Sequence, residues 1–355
     1  MWDTAGAATM QTSRTQRTPT TTPTEPKRVV KHRGVRLHHG DSLALYPEWD
    51  SPTVIVSDGA YGVGGFPGDP ATPAGIADWY LPHIEAWSKY ASPVTSLWFW
   101  NTEIGWAIVH PILVAHGWEF VGVCVWDKGI AHIAGNVNSK TIRRFPVVTE
   151  VCAHYVKPPT FTVSGREVSM KEWLRYEWQR SGLPLSKTNE ACGVKNAATR
   201  KYFTQCHLWY FPPPEAFEKL AAYANTHGNP TGCPYFSLDG KRPLTGSEWA
   251  RMRSKFTLHD MGITNVWQEP ANRGEERVRN ANGIVHANQK PIKLLSRIIQ
   301  ATSDPGDVVW EPFGGLCTAA IVSARTGRSC FAAEVIPDFF DVAADRLLAE
   351  NLRIL

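Results

Sequence analysis

Acidic side chains that close short apolar runs beside glycines are the residues of this 355-residue sequence best placed for chemistry. The densest such stretch is Gly306-Asp-Val-Val-Trp-Glu-Pro-Phe-Gly-Gly-Leu-Cys-Thr-Ala-Ala320, running on to Phe331-Ala-Ala-Glu334. An apolar run from Val308 to Trp310 enters Glu311-Pro-Phe-Gly-Gly, a helical pattern follows (Ala319, Ala320, Ile321, Ala324), and the run Cys330 to Ala333 ends on Glu334. Strand, glycine loop, helix and strand form the unit that holds an adenosyl cofactor. Glycines let the backbone approach a ligand, and an acid closing the second strand can accept both ribose hydroxyls. Glu334 lies 23 residues after Glu311, close to the spacing of about 20 for a ribose-binding acid. The loop is not Gly-x-Gly-x-x-Gly, so it matches a dinucleotide site poorly. Taken alone, a buried strand-loop-helix of a generic α/β protein fits it equally well.

The rest of the chain decides. The cofactor loop resembles the Asp-Pro-Phe-x-Gly-x-Gly-Thr loop of the amino-directed DNA methyltransferases, with Glu311 as the acid and Cys317 where the pattern has its second glycine. The resemblance implies S-adenosylmethionine as cofactor, held by Glu311, Phe313, Gly315, Thr318 and Glu334. A second apolar run, Thr53-Val-Ile-Val-Ser57, enters Asp58-Gly-Ala-Tyr-Gly-Val-Gly-Gly65. In that family the loop after this strand reads Asp/Asn/Ser-Pro-Pro-Tyr/Phe. An exocyclic amine conjugated to a base is a weak nucleophile. A side-chain acceptor and a backbone carbonyl that take its two N–H bonds concentrate the nitrogen lone pair, and an aromatic ring stacks on the base once it has left the duplex. Asp58, the carbonyl of Gly59 and Tyr61 would fill these roles. Gly59 and Ala60 replace both prolines, which predicts a looser loop unless neighbouring packing or bound DNA restores its geometry.

Further segments match the family in order. Gly40-Asp41 resembles the Gly-Asp before the catalytic strand, placing Asp41 to accept from the adenine amino group of the cofactor. His286-Ala-Asn-Gln-Lys-Pro291 resembles the His-Pro-Thr-Gln-Lys-Pro segment before a helix, where Asn288, Gln289, Lys290 and free N–H groups can hold the methionyl carboxylate. Trp126-Asp-Lys-Gly129, Arg144-Phe145, Thr149-Glu150, Tyr155-Val-Lys157 and the stretch Asn265 to Arg277 resemble its Trp-x-Lys-Gly, Arg-Phe, His-Glu, Phe-x-Lys and pre-Gln-Lys-Pro positions. Catalytic segment first, insert next and cofactor loop last is the order called β.

These motifs must be carried by alternating short strands and helices, read as strand Val35–Asp41 ending in Gly-Asp, helix Leu43–Trp49, strand Thr53–Ser57, helix Ile84–Tyr90, strand Val94–Trp100, helix Ile104–His116 and strands Glu119–Trp126 and Val147–Val156. This implies an α/β fold with a Rossmann-like, doubly wound, mostly parallel sheet. Residues 1–33, rich in Thr, Pro and Ala with few large apolar side chains, are expected to be a disordered tail. Residues 34–157 and 285–355 would be the two halves of the catalytic domain. Residues 158–284, with short apolar runs and interspersed Arg, Lys, Trp and Asn, would be an inserted, partly helical recognition domain. Within it, Met170–Arg180 has helical spacing. Two short helices, Ser186–Ala191 and Asn196–Phe203 around Cys192-Gly193, resemble a helix-turn-helix. Lys187, Lys195, Asn196, Thr199, Arg200 and Lys201 would contact DNA there; a small helical unit with a solvated basic face is the plainer reading.

The net charge of +4 permits nucleic-acid binding without requiring it. Seven cysteines with no Cys-x-x-Cys pair suit reduced thiols in an intracellular, cytoplasmic protein. Cys192, Cys206, His207 and Cys233 lack a metal-site spacing, so no metal is expected. No apolar run spans a bilayer. The sequence therefore reads as a site-specific DNA methyltransferase acting on a flipped base, with Asp58 rather than Ser favouring adenine N6 over cytosine N4. The alternatives are a non-catalytic DNA-binding protein on the same scaffold and an RNA or small-molecule methyltransferase. Double-stranded DNA is the expected partner, and a companion restriction endonuclease and a homodimer are compatible with the family.

Overall fold

The computed structural model describes residues 28–133, 140–204, 209–259, 262–272, 277–279, 283 and 288–350. In chain order the first half holds β1 (Val29–His32), β2 (Val35–His39), α1 (Ser42–Leu45), β3 (Val54–Ser57), α2 (Ile76–Tyr90), β4 (Ser96–Asn101), α3 (Glu103–Ala115), β5 (Glu119–Asp127) and β6 (Thr149–Val156). A second group follows: β7 (Thr160–Val163), β8 (Arg166–Ser169), α4 (Met170–Arg180), α5 (Thr188–Cys192), α6 (Pro214–His227) and α7 (Gly246–Arg251). The chain closes with β9 (Val266–Gln268), α8 (Ile292–Thr302), β10 (Val308–Glu311), α9 (Thr318–Arg325), β11 (Ser329–Glu334) and α10 (Pro337–Leu348).

Nine strands form one sheet in the order β1-β2-β11-β10-β3-β4-β6-β5-β9. Pairing is parallel from β2 through β4, and β6 runs antiparallel to both neighbours. The central strands are apolar because helices cover both faces. In β4, Trp98 and Trp100 join the core on one side, while Leu97 and Phe99 join the core on the other. α8 supplies Leu294, Leu295, Ile298 and Ile299 to the first core at helical spacing.

The winding of the sheet reverses between the parallel strands β10 and β3, whose partners are Val309 with Val54 and Trp310 with Ile55. β10 continues through α9 to β11 on one side, and β3 through α2 to β4 on the other. Asp58 and Phe313 each lie three residues beyond a paired Ile55 and Trp310. The two loops read as functional thus leave the sheet side by side at its switch point, where open α/β sheets bind ligands.

Three expectations need correction. Val29–His32, assigned to the tail, is a strand that pairs with Val35–His38. Its backbone completes the sheet edge, which composition does not reveal. The insert ends before residue 284: its own core runs from Phe161 to Trp249 with Met252 against it, whereas Trp267 is buried in the catalytic core and β9 pairs with β5. α2 starts at Ile76, not Ile84, and carries Pro82 inside it. Ile76 and Tyr80 are fully buried and anchor the turn that the proline interrupts.

The predicted helix Met170–Arg180 is present with a Ser169–Glu172 capping box, but the helix-turn-helix is not. Only Thr188–Cys192 is α-helical, and Thr199–Phe203 is a five-residue 3-10 turn. Asn189 donates from its amide to the Lys195 carbonyl and accepts from the Thr199 hydroxyl. These local bonds compete with helix formation, and the turn instead drives Tyr202 and Phe203 into the insert core.

Candidate active site

The loop after β3, expected to be catalytic, is fastened from outside itself. Asp69 accepts four backbone N–H bonds, from Tyr61 (3.1 Å) and Gly62 (2.8 Å) on Oδ1 and from Val63 (3.2 Å) and Gly65 (2.8 Å) on Oδ2. Asn101, at the end of β4, donates from Nδ2 to the Ala60 carbonyl at 2.8 Å. Gly59 has no room for a side chain, since a Cβ there would lie 2.8 Å from both the Phe313 ring and the Tyr80 hydroxyl. The loop without prolines is therefore held by neighbouring packing and a carboxylate clasp. Neither Asp69 nor Asn101 was singled out in the sequence. Asn101 carried a signal, a polar residue ending the apolar run Leu97-Trp-Phe-Trp100, because a buried amide must find partners. Asp69, in a Gly-Asp-Pro turn, gave none.

Beneath Asp58 sits a buried ion cluster. Lys290 is 4% exposed and donates to Asp58 Oδ1 at 2.7 Å and to the Tyr61 hydroxyl at 3.0 Å, with Glu150 Oε2 at 3.3 Å. Lys128 closes the set on Glu150 Oε1 at 2.5 Å. Two cations and two carboxylates balance. Burial lowers the Lys290 pKa, but Asp58 and Glu150 outweigh it and hold the ammonium above its usual range. Burial raises the Glu150 pKa, and Lys290 and Lys128 reverse that, leaving it below the carboxylate range. The Tyr61 hydroxyl is pushed well up, by burial first and then by Asp58 and Glu150. It stays a donor and reaches Asp58 Oδ1 at 2.8 Å. Among the described residues Asp58 Oδ2 accepts nothing, and Asp58 lines the cavity.

This geometry bears on two expected roles. Lys290 lines the cavity beside Asn288 and Gln289, and its ammonium is also paired with the carboxylates of Asp58 and Glu150. Tyr61 is 7% exposed, lies outside the cavity lining and is tied to the cluster by its hydroxyl. Its ring is not presented as a stacking face here. The rings that do face the cavity are Phe66, Trp79, His83, Trp100, Phe313 and Phe339.

The cavity has a volume of about 450 Å³ and runs from Asp58 to Glu334, within the range of small-molecule sites. Asp41, Asn288, Gln289, Glu311, Phe313, Gly315, Thr318 and Glu334 all line it, so the predicted cofactor residues converge. Their contacts differ in detail. Glu334 takes the N–H of Gly315 (2.6 Å) and of Ile336 (2.8 Å), and burial pushes its carboxyl up to about 6. Glu311 accepts from Ala319 (2.9 Å) and Ala320 (2.8 Å), capping α9, and burial raises it to about 8. Asp41 caps α1 through Leu43 N at 2.9 Å, and Gln289 accepts from Val278 N at 3.0 Å. Cys317 adopts φ +53° and ψ +49°, the left-handed region, which explains the family's glycine at that point. His286 lies outside the described residues.

In the insert, Lys187, Lys195, Asn196 and Arg200 are exposed and Lys201 is half-buried. Thr199 is not available: it is 3% exposed, and its hydroxyl is spent on Thr188 and Asn189. Lys187 pairs with Glu190 at 2.6 Å on the surface. Among the described residues no group of three His, Cys, Asp or Glu is placed to hold a metal, and no helix is long and apolar enough to cross a membrane.

Residues 53–345 match the family profile described as DNA methylase, of the N6/N4 class. The chain is 37% identical over 105 residues to the type II methyltransferase M.HinfI of Haemophilus influenzae, covering 27% of this chain and 29% of the relative. It is 29% identical over 119 residues to the type II methyltransferase M.ScaI of Streptomyces caespitosus, covering 33% of this chain and 39% of the relative. The matched stretches thus span well under half of those relatives. In solved structures the fold is shared with the PvuII DNA methyltransferase (cytosine-N4-specific), at TM-score 0.52 and 13% identity over 90% of this chain and 89% of that one.

Proposed function

The chain belongs to the N6/N4 DNA methylase family, and from that premise we propose that it methylates an exocyclic amine of a base in DNA at a defined site, adenine N6 in preference to cytosine N4. The observation that carries this reading is that Asp58 and Glu334 line one cavity from the ends of β3 and β11, strands that flank β10 on either side.

The residues suit S-adenosylmethionine. Glu334 retains lone pairs for the ribose hydroxyls, Asp41 offers an acceptor at the cavity wall, and Phe313 and Phe339 give flat apolar faces. When bound, this cofactor supplies a sulfonium methyl group, so the amine nitrogen gains a bond to carbon as the carbon–sulfur bond breaks towards sulfur. Asp58 and the Gly59 carbonyl would accept the two amine hydrogens and hold the nitrogen lone pair on line. Positioning of this kind is worth about 7–11 kcal/mol in well-oriented systems. The amine sheds one proton after transfer, and Asp58 Oδ2 is the acceptor beside it. The Lys290 ammonium fixes Oδ1 and leaves Oδ2 to the substrate.

A target amine inside a duplex cannot reach Asp58, so the base must leave the stack. Of the rings facing the cavity, Phe66 and Trp79 are the stacking faces nearest in sequence to the catalytic loop. The ordered clasp on residues 61–65 favours an enzyme over a non-catalytic scaffold, since a loop without chemistry needs no such hold. The test is transfer of labelled methyl from S-adenosylmethionine by the full chain to DNA, to RNA or to neither. Label in DNA supports the reading; label in RNA alone would overturn it.

A further inference from the structure

The described segment that leads into β6, residues 140–148, carries an aromatic side chain that the fold does not use. Phe145 is 94% exposed, more than any other large apolar side chain among the described residues. A phenylalanine left in water forgoes the stabilisation that burying its ring would give. It is flanked by exposed Lys140, Arg143 and Arg144, with Pro146 after it. The C-terminal end of this segment lies at the same end of the sheet as Asp58. Lys128 N bonds to the Val148 carbonyl at 3.0 Å, closing the β5–β6 ladder, and Lys128 and Glu150 on its two sides belong to the ion cluster that holds Asp58. Phe145 is three residues before Val148, which at a strand rise of about 3.4 Å keeps it within about 10 Å of the ladder end.

An exposed ring directly preceded by three exposed cations, Lys140, Arg143 and Arg144, makes this a basic surface with an apolar tip. It matches a nucleic-acid duplex, where an apolar slot between bases is bounded by phosphates. Extruding a base leaves such a slot, about 3.4 Å thick, and apolar side chains enter base steps in this way. Resting on the function proposed above, we infer that Phe145 fills the space left by the target base, while Arg143 and Arg144 meet the flanking phosphates.

The experiment compares the wild type, Phe145→Ala and Phe145→Trp, all as full chains, on two duplexes of the same sequence. In one the target base is paired; in the other it faces an abasic site and is already loose. If Phe145 stabilises the opened duplex, Phe145→Ala lowers methylation of the paired duplex about tenfold or more and that of the abasic duplex less than about twofold, because only the first must lose its stacking and pairing. Phe145→Trp retains activity on both. Equal losses on the two duplexes, or no loss on either, would overturn the inference. A wild type that methylates neither would remove the function on which it rests, and so be told apart from failure of the wedge alone. Arg144→Ala, if it meets a phosphate, flattens the salt dependence of DNA binding by a slope of about one.

Discussion

The two loops at the switch point each depart from the family pattern, one by losing prolines and the other by losing a glycine, and they are held in different ways. The catalytic loop has Gly59 and Ala60 in place of prolines, and its hold comes from elsewhere: the Asp69 carboxylate, the Asn101 amide and the Lys290 ammonium. The cofactor loop has Cys317 in place of a glycine, and there the backbone itself takes up the difference, with Cys317 in the left-handed region and Glu311 and Glu334 on nearby N–H groups. The first loop is held by charge and distant side chains, the second by its own conformation. Faults in the two should therefore separate, one set in turnover and the other in cofactor affinity.

The largest effect is expected at Lys290. Lys290→Met leaves the buried Glu150 and the half-buried Asp58 without their shared cation, and breaking one side of a buried pair costs about 3–5 kcal/mol. The melting midpoint should drop sharply, while the folded fraction still binds S-adenosylmethionine. A midpoint unchanged by calorimetry would show that the cluster is not a support for the loop. Next is Asp69→Ala, which strands four backbone donors, each worth about 1–3 kcal/mol if left unsatisfied, less where water reaches it. Turnover should fall by an order of magnitude or more with cofactor affinity nearly constant. Equal losses in both would erase the distinction between the loops. Restoring Pro at Gly59 should also lower turnover, because the ring needs space now filled by Phe313 and Tyr80.

The cofactor side predicts a pH effect instead. Burial raises the Glu334 carboxyl to about 6 from 4.5, so the folded state binds its proton more tightly than the unfolded chain does. Its ionisation then costs stability as pH rises from about 4.5 through 6, and below about 6 the carboxylate that would accept the ribose hydroxyls is lost. Cofactor affinity should weaken by up to about tenfold per pH unit beneath that point, and Glu334→Gln should be weaker at pH 7 and flat in pH. Titration calorimetry at several pH values checks this. The smallest effect is Cys317→Gly: relief of about 1–2 kcal/mol of left-handed strain is offset by lost burial and by about 0.4–1 kcal/mol of unfolded-state freedom. The melting midpoint should move by no more than about 4 °C.

Legibility follows the same division. Strands buried on both faces appear in the sequence as apolar runs, and acids that end them at Asp58 and Glu334 mark the cavity because strand ends at a switch point converge. What the sequence hid is tertiary. Lys290 reads as a cofactor ligand from its place before a helix, and only the fold brings it to Asp58, 232 residues away in the chain. Asp69 contributes through a loop whose path no periodicity records. The 3-10 turn at Thr199–Phe203 fails as a helix because Asn189 and Thr188 claim its first residue, a competition that helical spacing cannot show. Val29–His32 pairs by backbone alone at an edge, where side-chain pattern carries little information.

The central claim is that one cavity joins cofactor and target amine through Asp58. The most direct measurement is mass analysis of nucleosides from DNA incubated with S-adenosylmethionine and either the wild type or Asp58→Ala. The account predicts N6-methyladenine from the wild type, and from Asp58→Ala a yield lower by about a hundredfold or more, as for loss of one preorganised polar partner, with cofactor and DNA still bound. A wild type that binds both yet modifies no base, or an Asp58→Ala variant as active as the wild type, would contradict it.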